Sequence, residues 1–138
     1  MANSITTQLI LDGPRNCILK VEGILDTSDL ASQVILDPAL VAGMDSTGAV
    51  KAQGFLIQRI TYTVEDALEC RLFWDATAPT RIEALTGRGI AKFERFHGLP
   101  NNSGAGRTGK ILLSTEGWSA AKILSFSLII ELIKQGTL

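Results

Sequence analysis

The run KILSFSLIIELIKQ, residues 122–135, decides the fold class. Leu124, Phe126, Leu128, Ile130 and Leu132 fall on one side of it, and Ser125, Ser127, Ile129, Glu131 and Ile133 on the other. A period of two is the signature of a strand, whereas a helix would repeat its apolar positions every three to four residues. The second face is itself partly apolar. Such a strand calls for a cover on both sides: a second sheet, an extension of the chain or a neighbouring subunit.

Working outward, the same alternation recurs in short runs separated by Gly, Pro, Asn and Asp. SITTQLIL ends at DGPRN, where Gly13 and Pro14 supply turn chemistry. In RNCILKVEGIL, Cys17, Leu19 and Val21 share one face, opposite Asn16, Lys20 and Glu22. GFLIQRITYTV places Leu56, Ile60, Tyr62 and Val64 with Gln58, against Arg59, Thr61 and Thr63. LECRLFWDA sets Leu68, Cys70, Leu72 and Trp74 inward and Glu69, Arg71 and Asp75 outward, and it pairs on this reading with the preceding run as an antiparallel hairpin. KILLST adds a further strand.

Two stretches are less regular. Asp26, Thr27 and Ser28 are suited to capping one helical turn through Gln33, which Asp37 and Pro38 would end. Residues 26–50 then form a long connection with a short strand around Val34 to Leu36. The segment PTRIEALTGRGIAKFERFHGLPNN is mixed, with Gly87, Gly89 and Gly98 interrupting any long helix. Seven or eight strands result, enough for two packed sheets. The expected fold is all-β, a jelly-roll-like antiparallel β-sandwich with long connecting loops, residues 1–138 forming a single β-sandwich domain.

Composition narrows the function. The 138 residues carry 13 Lys and Arg against 14 Asp and Glu, a formal net charge of −1, so no broad field draws the chain to nucleic acid or to an anionic membrane. Apolar residues make up 46%, a high share that points to surface buried between subunits. The N-terminal residues do not read as a signal peptide, and the longest apolar stretch is about half of the roughly 20 residues a spanning helix needs. A cytoplasmic place of synthesis and assembly is expected. Cys17 and Cys70, both inward on the alternation, read as small buried hydrophobes, not as a disulfide framework or a zinc site.

One segment imitates a catalytic motif. In SGAGRTGKI, residues 103–111, Gly104, Gly109 and Lys110 have the spacing of a phosphate-binding loop. Ile111 stands where the magnesium-binding hydroxyl belongs, a polar turn precedes, and a strand follows where a helix should open, so the segment reads as a loop. His97, the one histidine, has no orienting partner at any local spacing. Asp26, Asp29, Asp37 and Asp45 do not match a calcium loop and suit turns and caps. Arg88, Lys92, Arg95 and Arg107 with Phe93 and Phe96 are interrupted by Glu94 and read as scattered solvated charge. No catalytic residue, cofactor site or metal site is expected.

The segments TTQLILDGPRNCILKVEGILDTSDL, RITYTVEDALECRLFWDAT and SGAGRTGKILLSTEGWSAAKILSFSLIIELIKQ together resemble a family of small virion structural proteins of tailed bacteriophages, the capsid decoration or cement proteins. The resemblance implies a non-enzymatic jelly roll that assembles in the host cytoplasm and resides on the exterior of the icosahedral capsid. Its partners would be the major capsid protein and further copies of itself, the homodimer favoured over the trimer, with neighbouring capsid subunits clamped together. Residues 1–8, 26–50 and 98–110 are then arms that order on the shell. Arg107 and Lys110 are candidate contacts to acidic groups of the shell, and Ile129 and Ile133 candidate shell or subunit contacts. Another head or tail component of the virion, or a carbohydrate-binding jelly roll using Trp74, Trp118 and Tyr62, are the alternatives.

Overall fold

A computed structural model describes residues 3–120 and 122–136. Its strands, in chain order, are β1 (Ser4–Asp12), β2 (Asn16–Leu25), β3 (Gln33–Leu36), β4 (Gly54–Val64), β5 (Glu69–Trp74), β6 (Thr80–Leu85), β7 (Gly87–Lys92), β8 (Ile111–Glu116) and β9 (Leu124–Gln135). The only helical pieces among the described residues are two single 3-10 turns, Pro38–Leu40 and Glu94–Phe96, and no helix there is long and apolar enough to cross a membrane.

Two antiparallel sheets form, a five-stranded one in the order β1-β2-β9-β4-β7 and a four-stranded one in the order β3-β8-β5-β6. The pairing is nested: β2 with β9, β3 with β8, β4 with β7 and β5 with β6. A single long hairpin, folded between β5 and β6 and then rolled, gives that nesting. Rolling adds the ladders of β4 with β9 and of β5 with β8. This is the jelly roll, with β1 as an additional strand on the β2 edge.

The inward series read from the sequence holds for β2, β5 and β9: Cys17, Leu19, Val21, Cys70, Leu72, Trp74, Leu128 and Ile130 are buried between the sheets. Phe126 reaches further. Its ring lies over Gly23 on β2, where a Cβ would come within 2.4 Å of it, and next to the Ile5 side chain of β1. A side chain at position 23 would displace the ring and unseat the contact to β1.

Four expectations are corrected. β4 and β5 do not pair; they lie in different sheets, and residues 65–68 carry the chain across. The inward face of β4 changes at a bulge around Gln58, where the register to β9 shifts between Ile57 and Arg59. Phe55 and Ile57 are therefore fully buried before it and Ile60 after it, and Leu56 points outward. No helical turn runs from Asp26 to Gln33; Asp37 instead caps the turn at Pro38–Leu40 through the Ala39 amide, 2.9 Å. Finally, the mixed segment supplies β6 and β7, short edge strands that bring the count to nine.

One buried ion pair ties the N-terminal turn to the last strand. Lys134 continues the inward series of β9 and its side chain has no exposed surface. Its Nζ donates to Asp12 Oδ1 and to the Ala42 carbonyl, 2.8 Å, while the Ala42 amide donates to Asp12 Oδ2, 2.9 Å. Burial pushes the Asp12 carboxyl up, but the bonds from Lys134 and Ala42 and the ammonium charge outweigh it and hold it below its usual 3.8. The pair thus stabilises fully above pH 3.8 and is lost as pH falls through the lower folded value. Asp12→Asn would leave the buried ammonium uncompensated, so urea unfolding at pH 7 is expected to show about 3–5 kcal/mol lost. The gap to the wild type should narrow when the titration is repeated well below the ordinary carboxylate range.

Candidate functional site

The groups that carry chemistry in other proteins are occupied with structure here. His97 closes the turn at Glu94–Phe96 in a left-handed conformation, φ 68°, and its carbonyl accepts from Gln58 Nε2, 3.0 Å. Cys17 and Cys70 are free and buried. Desolvation raises their thiols to about 11 and about 12, and the charges of Asp12 and Glu69 add to the rise. Neither is a nucleophile at neutral pH. Asp29 accepts from Thr115 Oγ1 and the Trp118 amide, and Asp45 from Thr47 Oγ1 and the Val50 amide. No group of three or more metal-ligating side chains occurs among the described residues.

The long connections gather at one end of the roll. Residues 37–53 and 93–110 both leave and re-enter there, next to the β1–β2 turn and to residues 75–79. The segment 103–111 is stitched into this crown. The Thr108 hydroxyl donates to Asp75 Oδ2, 2.8 Å, the Thr77 amide to the Ala105 carbonyl, 3.1 Å, and the Asp75 amide to the Lys110 carbonyl, 3.1 Å. Gly109 sits at φ 83° with the Gln53 carbonyl only 2.1 Å from where a Cβ would stand. Of the two glycines that imitate a phosphate cradle, Gly109 thus lets the backbone pass close to its neighbours while Gly104 faces open space, and residues 98–110 are docked instead of extending as an arm.

Of the four candidate contacts, the structure separates two from two. Lys110 lies 4.0 Å from Asp37 in the crown, and Arg107 Nη1 donates to the Asn101 carbonyl, 3.2 Å. Both cations have partners within the chain. Leu40, 78% exposed, and Val50, 49% exposed, are the apolar tips of the same crown. Ile129 and Ile133 instead stand half-buried on the outer face of the five-stranded sheet, on either side of Glu131.

That outer face is built from rows that cross the sheet. One runs Gln8, Lys20, Ile129, Thr61, Ile90; the next runs Leu11, Ile18, Glu131, Arg59, Lys92. Arg59 Nε is held by Glu94 Oε1 at 2.8 Å and faces Glu131 Oε2 at 3.7 Å, and the hydrogen bond to Arg59 draws the Glu94 carboxyl below its usual range. Around this pair are Ile18, Leu56, Ile129 and Ile133, with Ile90 more than half exposed at the β7 edge. A hollow of about 470 Å³ lies between Leu11, Ile18, Arg59 and Ile133. Toward the opposite end a trough of about 910 Å³ is lined by the hydroxyls of Ser4, Thr6, Thr63, Ser125 and Ser127. No further layer of described residues covers the face. Sequence alternation found Ile129 and Ile133; Arg59 and Glu94, far apart in the chain, come together only through the β4–β7 ladder.

No family model, no curated protein and no solved structure matches the chain.

Two measurements test this account. Maleimide labelling of the native protein at neutral pH should modify neither thiol, and labelling in denaturant should modify both; rapid native labelling would show that a thiol is accessible and ionised. Gly109→Ala should cost about 3 kcal/mol in thermal or urea unfolding, because both the left-handed backbone and the Gln53 carbonyl oppose a side chain.

Proposed function

We propose that the chain is a tailed-phage virion structural protein that attaches to the outside of the icosahedral capsid, cements neighbouring major capsid subunits and acts as a homo-oligomer. The observation that carries this reading is the outer face of the five-stranded sheet. It is wide, open, half apolar and charge-paired, the composition of a protein contact surface and not of a substrate cleft. Near-neutral net charge agrees with a protein partner over a nucleic acid. The resemblance of residues 6–30, 59–77 and 103–135 to the decoration proteins supplies the capsid as the partner.

The docked crown fits the same role. Loops already held by hydrogen bonds lose little further freedom when they meet a shell, so Leu40 and Val50 offer contact area at low ordering cost. Several such contacts per oligomer add by avidity.

Mixing the purified protein with empty expanded capsids of the phage that encodes it, then sedimenting, is the direct test. Saturable co-sedimentation is expected, and Ile129→Glu with Ile133→Glu should weaken it at least about tenfold while the circular dichroism spectrum is retained. Absence of co-sedimentation by the wild type overturns the reading.

A further inference from the structure

The two sheets have four edges, and three of them are guarded. β3 has only four residues, with a register shift after Val34 and Asp37–Pro38 at its end. β6 carries Arg81 and Glu83 and a register shift against β5. β7 has six residues, among them Gly87, Arg88, Gly89 and Lys92. Short length, charge, glycine and bulges are the devices that stop an edge from accepting another strand. β1 lacks them. It has nine residues, no charge before Asp12, and a register shift only between Leu9 and Leu11, leaving Ser4 to Leu9 regular. Among the described residues no strand pairs with its outer edge.

This edge is also held ready. At its start the Asn3 carboxamide accepts from the Asp26 and Thr27 amides, 2.8 and 2.9 Å, and donates to the Ser28 carbonyl, 3.0 Å. At its end Asp12 is fixed by Lys134. Between these anchors the inward Ile5 and Leu9 pack against the core yet stay half-exposed, whereas Cys17, Leu19 and Val21 on the adjacent β2 are buried. An anchored, uncharged strand with a free row of N–H and C=O groups asks for another extended strand.

We infer that the occupant is β1 of a second copy, paired antiparallel across a two-fold axis through Thr7. Opposed residues in a ladder share a face, so the axis must pass through a residue and not between two. Centred on Thr7, the pairing sets Ile5 against Leu9 of the second copy on the inner face and Thr6 against its Gln8 on the outer face, apolar with apolar and polar with polar. No like charges meet along Ser4 to Leu9. The half-exposed Ile5 and Leu9 then become buried, and the two five-stranded sheets join into one of ten strands. This specifies the self-association within the proposed function, and it stands or falls separately from capsid attachment.

Sedimentation equilibrium and cysteine cross-linking test it. The wild type is expected at twice the 14.8 kDa chain mass at tens of micromolar. Thr6→Lys with Gln8→Lys sets two lysine pairs face to face across the seam while touching no core residue, and should weaken the dimer at least about tenfold. Thr7→Cys should form an intermolecular disulfide on mild oxidation, since opposed Cα atoms lie within bridging distance and the native thiols are buried. Ile90→Cys on the β7 edge should not. A wild type that is monomeric at about 100 μM, or a dimer unaffected by the paired lysines, overturns the seam. So does failure of Thr7→Cys to cross-link within a protein that does dimerise. Binding of a monomer to capsids would refute the seam alone, and a cross-linked dimer that ignores capsids would refute the attachment alone.

Discussion

The rest of the molecule depends on β9 finding its place between β2 and β4. Its inner side chains, Leu124 to Leu132, close the core, and its two ladders join the beginning of the roll to its middle. Until the last strand of the described chain arrives, β2 and β4 have no common neighbour, and the five-stranded sheet is two fragments. Nearly all of these pairings join residues far apart in sequence, so the loop entropy of the whole chain is spent before the ladder forms. The Lys134 pair then fastens the end of β9 to the first turn. A cation in an inward position is costly unless its partners are fixed, and Asp12 is itself held by the amide of Ala42, whose carbonyl is the second acceptor for Lys134. The ion pair therefore rewards correct closure and penalises a β9 shifted by one residue, which would turn Lys134 to solvent and Ile133 into a polar niche.

How far the sequence discloses this fold follows from what alternation encodes. A period of two is a local property, and it places β2, β5 and β9 and their inward residues correctly. Sheet membership is not local. β4 and β5 are adjacent in sequence and each alternates well, yet Glu65 to Leu68 crosses between sheets, because the alternatives for both strands, β9 and β8, lie much further along the chain. The bulge at Gln58 is hidden for a related reason: Phe55, Leu56 and Ile57 are all apolar, so the run cannot reveal where the face changes. β6 and β7 escape because edge strands carry the glycines and charges that ordinarily mark loops. Asp37 is the capping aspartate that the sequence does disclose, because the proline one residue later stands at the first position of a turn.

The site is legible to the same degree. Ile129 and Ile133 stand out because apolar residues on a second face have no local explanation. Arg107 and Lys110 stand out because of their glycines, and the structure gives one of these a packing reason: Gly109 admits the Gln53 carbonyl. What alternation does not convey is that Glu94 and Glu131 both reach Arg59, or that β1 forms a free edge, since both depend on the order of strands in the sheet.

The inferred seam and the proposed attachment constrain each other geometrically. Two β1 strands paired antiparallel within one sheet are related by an axis normal to that sheet. Both outer faces then lie on the same side, so the Ile129 and Ile133 positions of the two copies form one continuous surface. The crowns, being at the same end of each copy, point in opposite directions along it. A dimer of this form has its flat face perpendicular to its own two-fold axis, which is the orientation required to sit on a two-fold axis of a shell. On the proposed shell its central face would cover the junction, and each crown would reach outward to a different, symmetry-related subunit. A dimer formed by packing the two outer faces together would bury Ile129 and Ile133 in the interface and leave neither for the shell. Pairing through the β1 edge, as inferred, thus keeps that face open.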